Sequence, residues 1–101
     1  MKTITFTHKD RNLFHLLKET NLIPQGQVLK GEARITGFSK EDISVGDTMQ
    51  IIGVNYQVTN VVERRDHKGV FLNPEDNKDS FFEVQTKFER VIEDKEINLH
   101  N

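Results

Sequence analysis

The fold of this chain is decided by residues 48–62, which read TMQIIGVNYQVTNVV. Two runs rich in β-branched and other apolar residues, 48–52 and 56–62, flank a short break. β-Branched side chains favour strands, and a short break that contains glycine favours a tight turn between two of them. The stretch therefore predicts a β-hairpin with its turn at residues 53–55.

Alternating residues predict two further strands before this hairpin. In residues 2–8, Ile4 and Phe6 alternate with threonines. In residues 27–38, apolar or small residues alternate with polar ones, which is the pattern of a strand with one buried face. The buried face would hold Leu29, Gly31, Ala33 and Ile35. Because glycine and alanine are small, we expect another element to pack closely there.

The spacing of apolar residues changes between these two strands. Leu13, Leu16 and Leu17 follow the i, i+3, i+4 pattern of one helical face, and Asp10 suits an N-cap. Pro24 follows at a position that a helix cannot continue through. The pattern predicts a helix over about 10–20.

The last third of the chain is less regular. Residues 63–69 and 73–79 are charged or polar loops around a short strand at 70–72. Residues 80–92 fit either a strand or a helix, and their aromatic and β-branched content favours the strand. We expect the polar tail, 93–101, to fray.

Together these elements predict a mainly β (α+β) fold with about six strands. The strands would form a small bent antiparallel sheet or a partly closed SH3-like or translation-type β-barrel, with one N-terminal helix at about 10–20. Residues 1–92 would form a single barrel-like domain, followed by the tail 93–101.

Composition limits the function classes. The chain has 101 residues, of which 35% are hydrophobic and 30% charged, with a formal net charge of -2 and no cysteine. A core of this size is small. The lack of cysteine excludes disulfides, thiolate catalysis and Cys-ligated metal sites. The N-terminus alternates and contains no apolar secretory segment, so we expect a cytoplasmic protein without a membrane span.

No catalytic constellation can be identified. The four histidines, His8, His15, His67 and His100, lack metal-ligand spacing. Residues 75–79 alternate oxygen-bearing side chains in a way that superficially suggests calcium, but Lys78 would lie inside the cage and Thr86 replaces the closing Glu. We therefore predict no catalytic, cofactor or metal-ligating residue, and no cofactor.

Two groups of side chains remain as candidates for binding. The first is cationic and could contact an anion or a nucleic acid: Arg34, Arg64, Arg65 and Lys68. The second is apolar, lies opposite the core-facing residues of its strands, and could contact a protein: Val28, Phe38, Val61 and Phe81.

A resemblance supports the barrel alternative. Residues 43–62 follow the pattern apolar-x-x-Gly-Asp-x-x-x-apolar-x-Gly-x-x-Tyr-x-Val-x-x-Val. This pattern is similar to that of the second, barrel domain of translational GTPases and of small phage head–tail joining proteins. The resemblance implies a small β-barrel and leaves function open, because function depends on sites more than on folds.

The favoured function is a non-enzymatic binding or adaptor module that contacts a protein partner or a second copy of itself. One alternative is an RNA- or single-strand-binding barrel, although the net negative charge does not favour nucleic acid. The other is a ligand-binding domain or small enzyme whose barrel mouth gathers Asp47, Glu63 and Asp79.

Overall fold

The computed structural model describes residues 1–11, 14–66 and 80–92. These residues form a mainly β structure with six strands and one short helical turn. The elements are β1 (Thr3–Phe6), α1 (His8–Arg11), β2 (Phe14–Gln25), β3 (Val28–Ser39), β4 (Thr48–Ile51), β5 (Val54–Asp66) and β6 (Ser80–Val91). The predicted mainly β class with about six strands is confirmed.

All six strands belong to one sheet, in the order β1-β4-β5-β6-β3-β2. β1 pairs with β4 in parallel, and every other neighbouring pair is antiparallel. β3 and β6 form the longest uninterrupted ladder, from Val28 opposite Val91 to Ser39 opposite Ser80. The centre of the sheet is therefore built by strands that lie far apart in the chain.

The sheet is strongly curved, as shown by the contact between its two edge strands, β1 and β2, in one core. Six strands about 4.8 Å apart would separate the edges of a flat sheet by roughly 24 Å. Instead, the ring of Phe6 on β1 lies 4.3 Å from the ring of Phe14 on β2, centroid to centroid. No ladder joins β1 to β2 within the described residues, so the sheet stays open. Of the two predicted architectures, the partly closed barrel is therefore wrong, and the bent sheet is present with one parallel pair of strands, β1 and β4.

The core lies inside this curl and follows the period-two pattern of the strands. Ile35 of β3 stands opposite Val84 of β6, and both side chains are almost fully buried. Thr86 is also buried, and its Oγ1 donates a 3.0 Å hydrogen bond to the carbonyl oxygen of Ala33. The buried hydroxyl is thereby satisfied. The same core cluster also holds Ile4, Phe6, Phe14, Ala33, Ile43, Met49, Ile51, Val58, Phe82 and Phe88, and Leu29 and Ile92 are buried as well.

The predicted hairpin is present as β4 and β5, with Met49 opposite Tyr56. Its turn consists of Ile52 and Gly53, one residue earlier than expected, and both have positive φ angles of 47° and 78°. Two successive positive φ values match the twist of a two-residue hairpin turn. Gly53 adopts this conformation freely, whereas Ile52 is a β-branched residue held there by the strands on either side.

The predicted helix at 10–20 is wrong. Residues from Phe14 onwards belong to β2, and helical structure in the described residues is limited to the single turn α1. The helical spacing of the leucines has another origin. The register of β2 against β3 shifts between Leu16 and Lys18, so Leu17 is an extra residue in a β-bulge. A bulge interrupts the strict alternation of apolar and polar residues along a strand, so the spacing of the leucines resembles that of a helix.

The strand prediction for 80–92 is confirmed by β6, which pairs with β3 on one side and β5 on the other. Two flanking strands satisfy its backbone groups, and a helix would leave both neighbours unpaired. The strand predicted at 70–72 and the tail at 93–101 lie outside the described residues.

Candidate functional site

Exposed hydrophobic residues are concentrated on β2. Eight large hydrophobic side chains in the described residues are exposed, and four of them belong to this one strand. They are Leu16 (50% exposed), Leu17 (52%), Leu22 (38%) and Ile23 (55%). We call these four residues the β2 apolar set. Scattered exposed apolar residues are ordinary, so their concentration on one strand makes β2 a candidate contact surface.

β2 is also an edge strand. It pairs with β3 on one side, and no described strand pairs with its other side. Within the described residues, the backbone N–H and C=O groups on that side therefore have no strand partner. At twelve residues, β2 is also long for an edge strand, and only Phe14 is buried within it.

Two irregularities shape this edge. The first is the bulge at Leu17, and the second lies between Thr20 and Ile23, where Asn21 adopts a φ of 55°. Asparagine tolerates this left-handed conformation better than most residues. Its side-chain amide donates a 2.8 Å hydrogen bond to Glu32 of β3, which holds the irregular segment against the sheet.

The irregularities place apolar side chains on both faces of the edge. Leu16 stands opposite Ile35, a core residue, whereas Ile23 stands opposite Lys30 on the outer face. Leu22 lies over Gly31, where an added Cβ would come within 2.6 Å of the Leu22 Cδ2 atom. The close packing predicted at Gly31 is therefore present.

A small cleft of about 250 Å³ adjoins the edge on its inner side. Phe14 and Leu16 form one wall, Ile52 and Val54 the other, and Tyr56 completes the lining. The cleft lies where the curled sheet fails to close. Its lining mixes apolar and polar groups, and His15 also borders it.

The predicted protein-contact residues occupy separate places. Phe38 and Phe81 are half-buried and pack edge to face, 5.8 Å between ring centroids, at the end of the outer face. The guanidinium carbon of Arg65 lies 4.5 Å from the centroid of the Phe81 ring. Val28 lies at the opposite end of β3, beside the exposed Val91, in an open groove.

The structure differs from the expectation at Val61. It packs against the core instead of facing outwards, opposite Val84 of β6. A register shift between Val58 and Asn60 inserts one residue into β5 and reverses the alternation after it. A shift of one residue exchanges the two faces of a strand, so the sequence pattern alone assigned Val61 to the wrong side.

The predicted cationic residues are paired with carboxylates. Arg34 Nε lies 3.1 Å from Glu83 Oε2, and Arg65 Nε lies 2.8 Å from Glu63 Oε1. Arg64 contacts Asp42, with 3.0 Å between its Nε and Oδ1. These pairs are partly exposed, so each contributes little to stability, but together they reduce the positive potential of the surface. Lys68 lies outside the described residues.

Asp47 has a structural role. Its carboxylate accepts hydrogen bonds from the backbone N–H of Lys2 at 3.1 Å and of Ser44 at 2.9 Å. These two bonds, aided by the positive charge of Lys2, hold the pKa of Asp47 below its ordinary value of 3.8. The buried carboxylate thus joins β1 to the loop before β4. Glu63, the second predicted mouth residue, is exposed and paired with Arg65, and Asp79 lies outside the described residues.

No group of three or more metal-ligating side chains occurs in the part of the chain that the structure describes. None of its described helical residues forms a segment long and apolar enough to cross a bilayer.

Sequence reasoning missed the β2 apolar set. A signal was present in the two apolar doublets Leu16-Leu17 and Leu22-Ile23, which flank the polar run 18–21. A regular amphipathic helix or strand would place only some of these residues on its buried face. The doublets are what a bulged strand with apolar residues on both faces would show.

The chain matches no family model, no curated protein and no solved structure. The resemblance of residues 43–62 to barrel domains therefore stays a prediction.

Proposed function

We propose that this chain is a non-enzymatic binding or adaptor module that acts through protein–protein contacts, chiefly at the free edge of β2. The observation that carries the proposal is the β2 apolar set on a strand whose second edge is unpaired among the described residues. Soluble proteins usually protect long edge strands with charge, and exposed apolar edges are prone to pairing.

The chemistry of this edge suits strand addition. Backbone N–H and C=O groups supply hydrogen bonds to any extended segment, and apolar side chains on both faces supply contact area. β2 carries only Lys18 and Glu19 as formal charges, and these have opposite signs. A partner with alternating apolar side chains and little net charge would fit best.

A second surface supports the same class of function. Phe38, Phe81 and Arg65 form a cluster on the outer face, in which the two rings are half-buried and the arginine is exposed. Aromatic residues and arginine are enriched at protein interfaces. Of the predicted apolar contact residues, Phe38 and Phe81 are therefore the best candidates for a protein contact. Val61 packs against the core instead.

The test is binding of the intact chain to an array of extended peptides of about eight residues, a length typical of one strand. Peptides with alternating apolar residues should bind the wild type and lose at least tenfold in affinity to the double variant Leu17→Lys/Ile23→Lys. Val45→Lys is the matched control, because Val45 is also exposed but lies in the loop before β4. Equal binding by all three proteins, or no binding at all, would contradict the proposal.

Nucleic-acid binding is kept as a second candidate because Arg65 stacks on Phe81, an arrangement that suits base stacking. The ion pairs of Arg34, Arg64 and Arg65 weaken it. A titration of single-stranded RNA at about 50 mM salt, where electrostatic binding is strongest, decides the matter. Absence of binding there, with retained peptide binding, would eliminate this candidate.

A further inference from the structure

The cleft beside Leu16 is lined by one member of each of two aromatic pairs. Phe14 lines the cleft and packs against Phe6, with 4.3 Å between ring centroids. Tyr56 also lines the cleft and packs against Phe88, with 5.4 Å between ring centroids and 47° between ring planes. Aromatic rings favour edge-to-face and offset contacts with one another, so a further ring placed in this cleft would have aromatic neighbours.

The volume of the cleft suits a single aromatic group. A cavity of about 150 Å³ is large enough to hold benzene, and pockets for drug-sized molecules begin at about 300 Å³. The cleft lies between these values, at about 250 Å³. Ile35 and Ile51 contribute buried apolar surface to it, while Tyr56 and His15 add polar groups. An indole or phenol group, which joins an apolar ring to one polar atom, matches this mixed lining.

One wall of the cleft is kept in an unfavourable backbone conformation. Ile52 has a φ of 47°, which β-branched residues rarely adopt, and asparagine or glycine is usual at this position of a two-residue hairpin turn. Strained residues are often found at ligand-binding sites, where the surrounding packing holds them. The side chain of Ile52 packs against the core and lines the cleft. The chain therefore has an isoleucine where a hairpin alone favours asparagine, and its side chain forms part of the cleft.

The cleft adjoins the edge of β2 that has no strand partner among the described residues. Leu16 borders the cleft, is half exposed, and stands opposite the core residue Ile35 on the inner side of the sheet. A strand paired with this edge would direct every second side chain to the same inner side. One of those side chains would lie beside Leu16, at the cleft.

We propose that the cleft binds one aromatic side chain, that of tryptophan or tyrosine, from a peptide strand that pairs with β2. The ring would lie among Phe14, Tyr56 and Ile52 and would cover the exposed part of Leu16. Buried aromatic side chains in fitted pockets commonly dominate the binding energy of protein interfaces. This inference rests on the protein-binding function proposed above and names the residue that the partner presents.

The first experiment compares two extended peptides of about eight residues that differ only at one central position, which is tryptophan in one and leucine in the other. Calorimetric titration into the intact chain gives both affinities. Wild type should bind the tryptophan peptide at least about threefold more tightly, because contacts between rings add to the burial of apolar surface. Equal affinities, or tighter binding of the leucine peptide, overturn the inference.

Two pairs of variants locate this preference. Leu16→Ala and Leu17→Ala each truncate a half-exposed leucine, but Leu16 borders the cleft and Leu17 borders a depression with Lys18 and Arg34. Ile52→Asn and Val45→Asn make similar changes inside and outside the cleft, and asparagine suits the turn conformation at residue 52. Circular dichroism establishes that each variant is folded.

The preference for tryptophan should be lost in Leu16→Ala and Ile52→Asn and persist in Leu17→Ala and Val45→Asn. Because the preference is a ratio of two affinities, a general loss of peptide binding in a variant of β2 cancels. A preference that persists in both cleft variants, or that disappears equally in the controls, overturns the inference.

The second experiment uses a ring that is not part of a strand. N-Acetyltryptophanamide and N-acetylleucinamide are each titrated into the isotope-labelled full chain up to about 10 mM, and the amide resonances are followed by NMR. N-Acetyltryptophanamide should cause the larger shifts, centred on Leu16, Ile52 and Tyr56. Shifts centred on the other aromatic surface, at Phe38 and Phe81, or equal shifts with both compounds, overturn the inference.

The inference and the proposed function fail separately. Peptide binding without a preference for tryptophan overturns the inference and leaves the function standing. Shifts at the cleft with N-acetyltryptophanamide, but no binding of any peptide, contradict the proposed function and overturn the peptide as the source of the ring. The cleft would then take a free aromatic molecule.

Discussion

The two edges of the sheet differ in almost every respect. β1 has four residues, its apolar side chains Ile4 and Phe6 are buried, and it is held to the rest of the molecule by the carboxylate of Asp47. β2 has twelve residues, buries only Phe14, and exposes the β2 apolar set. Both strands come from the first quarter of the chain and lie on either side of α1.

The apolar side chains of β1 are buried in the core, whereas most of those of β2 are exposed to solvent. A short edge strand with buried side chains offers little to a partner, whereas a long edge with exposed leucines offers both hydrogen bonds and apolar contacts. β1 therefore contributes mainly to the core, and β2 is the edge at which we propose that a partner binds. Substitutions that compare the two edges test this division.

The largest effect is expected at the aromatic contact between the edges. Phe6→Ala removes a buried ring that packs against Phe14 and should lower the free energy of unfolding by about 3–5 kcal/mol. Leu17→Ala on β2, where the side chain is half exposed, should change it by no more than about 0.5 kcal/mol. Urea denaturation measures both values. Similar losses in the two variants would show that β2 is as deeply involved in the core as β1.

Two glycines of β3 contact β2 at different points: Gly37 lies against the buried ring of Phe14, and Gly31 lies against the exposed side chain of Leu22. At Gly37, an added Cβ would overlap the ring of Phe14, which is fixed in the core, and Gly37→Ala should cost about 2–3 kcal/mol. At Gly31, the nearest atom is the mobile end of Leu22, so Gly31→Ala should cost less. The same denaturation assay compares them. A larger loss at Gly31 would indicate that the Leu22 segment is rigidly packed.

The attachment of β1 is tested at Asp47. Asp47→Asn leaves one of the backbone donors of Lys2 and Ser44 without a carboxylate oxygen, and should cost about 1–2 kcal/mol near neutral pH. The pKa of this carboxyl is lower in the folded chain than in the unfolded chain, chiefly because of the hydrogen bond from Lys2. Its stabilisation is therefore complete above about pH 4 and is lost as the pH falls through the folded pKa.

Unfolding free energies measured between neutral and acidic pH should consequently converge for wild type and Asp47→Asn at low pH. A constant difference at every pH would show that the charge of Asp47 does not stabilise the fold.

The smallest effect is expected on the outer face. Arg65→Ala removes an exposed ion pair with Glu63 and the contact with Phe81, and should lower the unfolding free energy by about 0.5 kcal/mol. High salt should reduce the difference further, because exposed charges are screened. A loss that salt does not change would assign the effect to packing on Phe81 instead.

Part of the candidate site follows from local residue patterns. Simple alternation places Phe38 and Phe81 on the outer face, and the structure pairs them across β3 and β6. Val61 was misplaced because a register shift in β5 cannot be recognised without its partner strand. The β2 apolar set was missed for the same reason, since the bulge at Leu17 resembles a helical turn when β3 is not considered.

The sequence by itself predicted β1, β3 and the β4–β5 hairpin, and it favoured a strand over a helix for β6. These patterns are local, because successive side chains of a strand point to opposite faces. Only the tertiary structure decided that residues 14–25 form a strand, that β3 pairs with β6, and that the edges approach at Phe6 and Phe14 without a ladder between them. Register and closure depend on hydrogen bonds between distant segments, and a free edge exists only once the order of strands is set.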